Sequence, residues 1–303
     1  MDASKNKLGN IQFKHPILNA SGCWCMNETQ LDELYQSSLS GIICKTCTYN
    51  CKDGNKKINY ICDEERKVHF NCKGLPNLGY QYYKKLYERY TVKPYIISLA
   101  IENYDNLQMI LLDYDKHVNG QVLVEINLSC PNLHSSIPGY DIVQVKIILN
   151  FLRNFKLNNI TFGFKLPPYL QIEFINDLAI LFNEFTDVLK YIVLSNSIPN
   201  CLPLKNGVPI LSNTFGGLSG KLNKHIALSN VYSFSKILDK EIKIVGCGGI
   251  ETIEDVTDYL NNGADFIQLA SCFYDEISDK LNINKINEFV EEYLHLEDLK
   301  PHL

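Results

Sequence analysis

Eight short runs rich in isoleucine, valine and phenylalanine recur along this chain, and each is followed by a longer amphipathic stretch. That alternation restricts the fold more than any other feature. The runs fall at 16–21, 41–46, 95–100, 122–129, 161–166, 191–196, 243–249 and 266–271. Between them, 29–37 gathers Leu31, Leu34 and Tyr35 on one helical face, and 104–117 gathers Leu107, Ile110, Leu111 and Tyr114. The same 3.6-residue period marks 141–155, 172–185, 227–238, 253–261 and 283–293. Thr252 followed by Asp255 has the form of a helix-capping pair.

Strands that alternate with helices pair in parallel through right-handed crossovers, and eight of them close a barrel. The expected fold is α/β, a (β/α)8 TIM barrel with long βα loops at its C-terminal mouth. An open doubly wound sheet is the alternative. A length of 303 residues suits one barrel of ~250 residues plus additions, so 1–303 reads as a single domain. Two connections are long, 47–78 after the second strand and 197–221 after the sixth. In a barrel such loops carry function.

Charge narrows the partners. With 29 Lys and Arg against 34 Asp and Glu, the formal net charge is −5, and no basic stripe suggests a nucleic-acid partner. The N-terminal residues lack the apolar core of a signal peptide, no run approaches a membrane span, and the last residues carry no lipidation signal. The expectation is a cytoplasmic protein. Eleven cysteines, an odd number without a secretory signal, read as reduced thiols rather than a disulfide framework. Cys44, Cys47 and Cys51 invite a metal reading. However, Cys44 lies inside an apolar run and no second ligand pair completes a set, so no metal is expected.

If the barrel forms, strand ends converge on one site. They contribute Asn19, Ser21, Lys45, Thr46, Ser98, Asn127, Ser129, Cys130, Lys165, Ser195, Asn196, Ser197, Gly248, Gly249 and Ser271. None of these is a carboxylate or histidine, which disfavours glycosidase and histidine–metal chemistry. The glycine clusters at 246–249 and 216–220, with Ala270-Ser271-Cys272, suit a phosphate approached by backbone N–H groups. Lysines facing the mouth need an anion, because a buried unpaired ammonium is costly. A phosphate-bearing flavin supplies one: its N1–C2=O edge becomes negative on reduction, and a nearby lysine stabilises that form. A thiol with an ordinary pKa of ~8.5 can serve as general base, and Asn127 and Asn132 flank Cys130.

Taken together, Asn127-Leu128-Ser129-Cys130-Pro131-Asn132, the segment 71–79 around Asn71, Gly74 and Leu75, Phe162 to Pro168 around Lys165, Ser195-Asn196-Ser197 and Gly246-Cys247-Gly248-Gly249 resemble dihydroorotate dehydrogenase of the cytosolic class 1, most closely the fumarate-using homodimeric class 1A. The resemblance implies an FMN-binding barrel that oxidises (S)-dihydroorotate to orotate in pyrimidine (UMP) biosynthesis. Cys130 would remove the C5 proton while the C6 hydride passes to the flavin. Asn71, Gly74, Leu75, Asn127, Asn132, Asn196 and Ser197 match substrate-binding positions. Ala20, Ser21, Gly22, Lys45, Thr46, Asn127, Lys165, Gly220, Gly248, Gly249, Ala270 and Ser271 match FMN-contacting ones. Residues 133–140 correspond to a loop that covers the substrate. Lys73 departs from the pattern, standing where the family has an apolar residue, and Ala270-Ser271 replaces a Gly-Thr pair. Two other readings compete: another pyrimidine-directed FMN oxidoreductase, of the dihydropyrimidine dehydrogenase type, and a flavin-binding barrel without turnover.

Overall fold

The computed structural model describes residues 6–118, 120–130, 137–155, 157, 159–275 and 280–299. Its eight predicted strands form one sheet: β1 (Ile17–Asn19), β2 (Ile42–Ile43), β3 (Tyr95–Leu99), β4 (Val122–Asn127), β5 (Ile160–Lys165), β6 (Leu189–Leu194), β7 (Lys243–Cys247) and β8 (Phe266–Leu269). All the paired neighbours are parallel, in the order β1-β8-β7-β6-β5-β4-β3-β2. This is the barrel, and the open doubly wound sheet is set aside.

The two ends of that order, β1 and β2, meet at a seam. No strand ladder joins them, and one side chain does much of the joining. The Asn19 amide donates from Nδ2 to the Ile43 carbonyl at 2.9 Å, while its Oδ1 accepts from the Ile43 N–H at 2.8 Å. The Ser40 N–H adds a bond to the Ile17 carbonyl at 3.1 Å. Asn19 was expected at the mouth; its side chain is instead consumed in closing the barrel.

The period-two alternation sorts side chains between two compartments. On β4, Val122, Val124 and Ile126 pack outward against the helices, while Leu123 joins the barrel interior with Leu18, Ile43, Ile96, Val193, Val245 and Phe266. The hairpin Lys7–Leu8 with Ile11–Gln12 closes the far end. It adds Leu8 and Phe13, whose ring meets Phe266 edge-on at 5.3 Å. Each such fully buried side chain contributes ~1.5–3 kcal/mol of transfer free energy.

Around the strands lie α1 (Glu28–Gln36), α2 (Tyr80–Tyr87), α3 (Tyr104–His117), α4 (Ile142–Asn154), α5 (Ile172–Asn183), α6 (Lys224–Ser235), α7 (Ile253–Asn261) and α8 (Ile283–Leu299). Side-chain caps fix four starts: Asn27, Asn103, Asp141 and Thr252, the last in a reciprocal capping box with Asp255. Helix α6 begins one turn before its apolar period. Lys224 in that turn is held by ion pairs to Asp255 and Asp258 of α7, a tertiary contact that periodicity cannot register.

The long loops carry regular structure that their sequence periodicity does not indicate. Tyr60–Asp63, Val68–Asn71, Gly216–Gly220 and Ile198–Cys201 form a four-stranded antiparallel sheet. It unites the two long connections, with Asn71 opposite Gly217.

Candidate active site

The C-terminal strand ends open into a cavity of about 320 Å³. Of the site residues expected from the sequence, all but three line it: Asn19 is spent in the seam, Ser98 stands behind Thr46, and Asn132 lies outside the described residues, as do 133–136 of the covering loop. Beyond them, Pro138–Tyr140 makes one tight turn. It is anchored by the Gly139 N–H on the Leu128 carbonyl (2.9 Å) and the Tyr140 hydroxyl on the Pro168 carbonyl (2.9 Å).

A continuous chain of amides and hydroxyls runs around the rim. The Thr46 hydroxyl is 2.9 Å from both the Ser21 and Ser98 hydroxyls and accepts from Asn127 Nδ2 at 3.5 Å. Asn127 Oδ1 accepts from Asn196 Nδ2 at 3.3 Å and from the Ser129 N–H at 3.0 Å. The Ser197 N–H donates to Asn196 Oδ1 at 2.8 Å, and Asn223 Nδ2 donates to the Asn196 carbonyl at 3.3 Å. The amides are thereby held in one orientation before any ligand arrives. One acceptor remains unspent: Asn223 Oδ1 is buried without a partner.

From the long-loop sheet, Asn71 enters the same cavity, with its Nδ2 3.4 Å from the Gly217 carbonyl. The space opposite it is tight, since a Cβ on Gly217 would stand 2.3 Å from Ser197 Oγ and force that hydroxyl to turn. Four residues beyond Asn71, Leu75 adopts a φ of 58° and packs with Ala100 against Cys130. Cys130 is 8% exposed, so its thiol sits at the cavity wall with apolar neighbours behind it. The other cysteines divide as thiols of the core and the surface. Burial pushes Cys25 up to about 12, Cys44 and Cys47 are buried and Cys51 is exposed. Among the described residues no group of three or more His, Cys, Asp or Glu is placed to hold a metal.

Both lysines turn inward. Lys45 is 9% and Lys165 4% exposed. Lys165 Nζ donates to Gln268 Oε1 at 2.8 Å and lies 3.4 Å from Cys247 Sγ. Burial would pull its pKa down, but Cys247, Glu125 and these bonds hold the ammonium above its ordinary range. Beside the lysines, Gly248 (φ 129°) and Gly249 (φ 63°) turn in conformations that side chains resist. A Cβ on Gly249 would meet the Lys224 N–H nitrogen at 2.6 Å and the Gly220 carbonyl at 2.9 Å.

Sequence reasoning missed Gln268 and Glu125. Gln268 Nε2 donates to Glu125 Oε2 at 2.6 Å, and Glu125 is fully buried. The signal was available: Glu125 is the lone charge in an apolar run and stands two positions from Asn127, on the same face of the strand. Tyr60, Asn55 and Asn223 also line the cavity unpredicted, because they come from loop segments without periodicity. Lys73 reaches the wall too, its ammonium 4.7 Å from the Tyr60 ring centroid and 5.7 Å from that of Tyr274.

The family model for dihydroorotate dehydrogenase matches residues 3–294. The chain is 32% identical over 306 residues to dihydroorotate dehydrogenase A (fumarate) of Lactococcus lactis subsp. lactis, covering 95% of this chain and 94% of that one. It is 33% identical over 314 residues to dihydroorotate dehydrogenase (fumarate) of Lachancea kluyveri, covering 97% and 96% respectively.

Proposed function

The chain belongs to the dihydroorotate dehydrogenase family, and from that premise we propose that it oxidises (S)-dihydroorotate to orotate in pyrimidine biosynthesis, with FMN bound in the barrel mouth and fumarate as the electron acceptor. The observation that carries this reading is the convergence of the Cys130 thiol, the Asn71, Asn127 and Asn196 amides and the inward Lys45 and Lys165 on a single cavity. Another pyrimidine-directed oxidoreductase is not favoured, since both relatives are named for dihydroorotate and fumarate.

The residues fit FMN. Gly22, Gly220, Gly248 and Gly249 all have positive φ, which leaves backbone and little else at that side of the cavity. Ala270 and Ser271 continue the same wall, and Ala20, Ser21, Lys45, Thr46, Asn127 and Lys165 complete the set that would hold the cofactor. Bound there, FMN supplies the hydride acceptor.

The chain's own part is positioning and proton removal. Asn71, Asn127, Asn132 and Asn196 would hold the substrate's ring amides and carboxylate with Ser197 and the backbone of Gly74 and Leu75. Cys130 Sγ would take the C5 proton. Leu75 and Ala100 keep water from the rear of that sulfur.

The whole of 1–303 serves this one site as a single FMN-binding unit. Family resemblance supports a cytoplasmic homodimer. Leu202, Leu204, Val208, Phe215 and Leu222, each at least 45% exposed along one segment, supply apolar surface for a second copy. No described helix is long and apolar enough to cross a membrane.

The purified protein is expected to be yellow and to release one FMN per chain on denaturation, measured by absorbance and mass spectrometry. A colourless folded preparation that takes up no FMN would overturn the reading. A second expectation concerns Lys73. Because its ammonium is turned onto Tyr60 and Tyr274, Lys73→Met should change the orotate Kd less than twofold at both low and high salt. A tenfold weakening that fades with salt would instead put the charge on the ligand carboxylate.

A further inference from the structure

We propose that Glu125, beneath the cavity floor, is a positioning residue: acting through Gln268, it holds Lys165 in place and keeps it an ammonium. What this does for a flavin rests on the functional reading above; the arrangement itself does not.

The three residues come from three strands and meet inside the barrel. Glu125 on β4 pairs in register with Gly163 on β5, which pairs in turn with Tyr191 on β6. Gly163 cannot be larger, for a Cβ there would lie 2.2 Å from the Tyr191 ring. The tyrosine thus fills the space beside Glu125. Glu125 has no exposed surface. Its Oε2 accepts from Gln268 Nε2 at 2.6 Å, and Gln268 Oε1 accepts from Lys165 Nζ at 2.8 Å.

The chemistry of the ends fixes the middle. A carboxylate only accepts and an ammonium only donates. The Gln268 amide between them therefore has a single satisfactory orientation, nitrogen to Glu125 and oxygen to Lys165. Reversing it would break both bonds and set N–H against N–H. The groups that face Lys165 are Glu125 from β4, Gln268 from β8 and Cys247 from β7, with Cys25 further off. Of these, Glu125 is the carboxylate. A buried ammonium with no counter-charge sheds its proton, so Lys165 depends on Glu125 across the amide. Burial leaves the Glu125 carboxyl above the usual carboxylate range, and Lys165 and Gln268 oppose that rise in part. Its second oxygen has no partner, nor has the Tyr191 hydroxyl, so the charge is not spent on a competing bond. If FMN occupies the mouth, the ammonium so maintained is the one that favours the reduced ring, and Glu125 sets its strength from a distance.

The test is a ¹³Cε-lysine NMR titration of the FMN-loaded protein, repeated after the flavin is stripped, with Lys165→Met to assign the signal. Glu125→Gln keeps the shape and can still accept from Gln268, but loses the charge. Gln268→Leu keeps the charge and removes the bridge. The Lys165 midpoint is expected to fall by at least one pH unit in each variant that folds, a tenfold rise in the neutral fraction at a given pH. Above that midpoint, the flavin of the loaded variants should shift at least tenfold toward the oxidised form, ≈ 30 mV for two electrons. Parent-like titration of Lys165 in the folded variants would overturn the proposal. The stripped-protein arm reads Lys165 directly, so a chain that binds no FMN would sink the functional reading and still decide the role of Glu125.

Discussion

Cys130→Ala is expected to retain FMN and to slow flavin reduction by dihydroorotate by about 10²–10⁴-fold, the usual cost of removing a general base. Retention follows from the geometry. Cys130 packs on Leu75 and Ala100, whereas the inward Lys165 and the glycine turns at Gly248 and Gly249 belong to β5 and the end of β7. Cys130→Ser should keep a trace of reduction that grows with pH, since a hydroxyl gives up its proton far less readily than a thiol. Rapid mixing without oxygen separates this step from turnover. An unchanged rate in the alanine variant would remove Cys130 from the mechanism.

The second large effect is on stability, at the barrel seam. Asn19→Leu keeps the branched shape but strands both the N–H and the carbonyl of Ile43, each satisfied by the asparagine amide. A buried backbone group left without a partner costs about 1–3 kcal/mol, and here there are two. Asn19 is 5% exposed, so water cannot readily take its place. The urea midpoint should fall sharply with the slope unchanged. Asn19→Asp should rescue little, because a carboxylate accepts from the Ile43 N–H but cannot donate to the carbonyl. A midpoint within experimental error of the parent would show that the single bond from the Ser40 N–H to the Ile17 carbonyl suffices to close the barrel.

Asn19 also illustrates what could and could not be read along the chain. The eight strands were legible because each buries apolar side chains on both faces, and a run such as Val122-Leu123-Val124 has few other uses. Strand-end polar residues were legible for the same reason: a barrel sends Lys45, Asn127, Lys165 and Asn196 to one mouth. The direction of a single side chain was not legible. Asn19 and Ser21 stand two apart, yet one closes the seam while the other lines the cavity. The sheet in the long loops escaped because its pairing is non-local. Asn71 meets Gly217 only after most of the barrel has been laid down, and Gly216-Gly217 looks like a turn in isolation. Glu125 was not legible as a site residue because it lies one layer below the strand ends and reaches the mouth only through Gln268. Lys73 was singled out as a departure, but that Tyr60 and Tyr274 flank its ammonium depends on contacts between segments some 200 residues apart in the chain.

The most direct test is an anaerobic half-reaction. The FMN-loaded protein is mixed with dihydroorotate in a stopped-flow cell and followed at the oxidised flavin band, then mixed again with fumarate. The account predicts that the band bleaches with formation of one orotate per flavin and returns on adding fumarate, with NAD unable to substitute. A band that dihydroorotate leaves unchanged would contradict it, and so would a reduced flavin that fumarate cannot reoxidise.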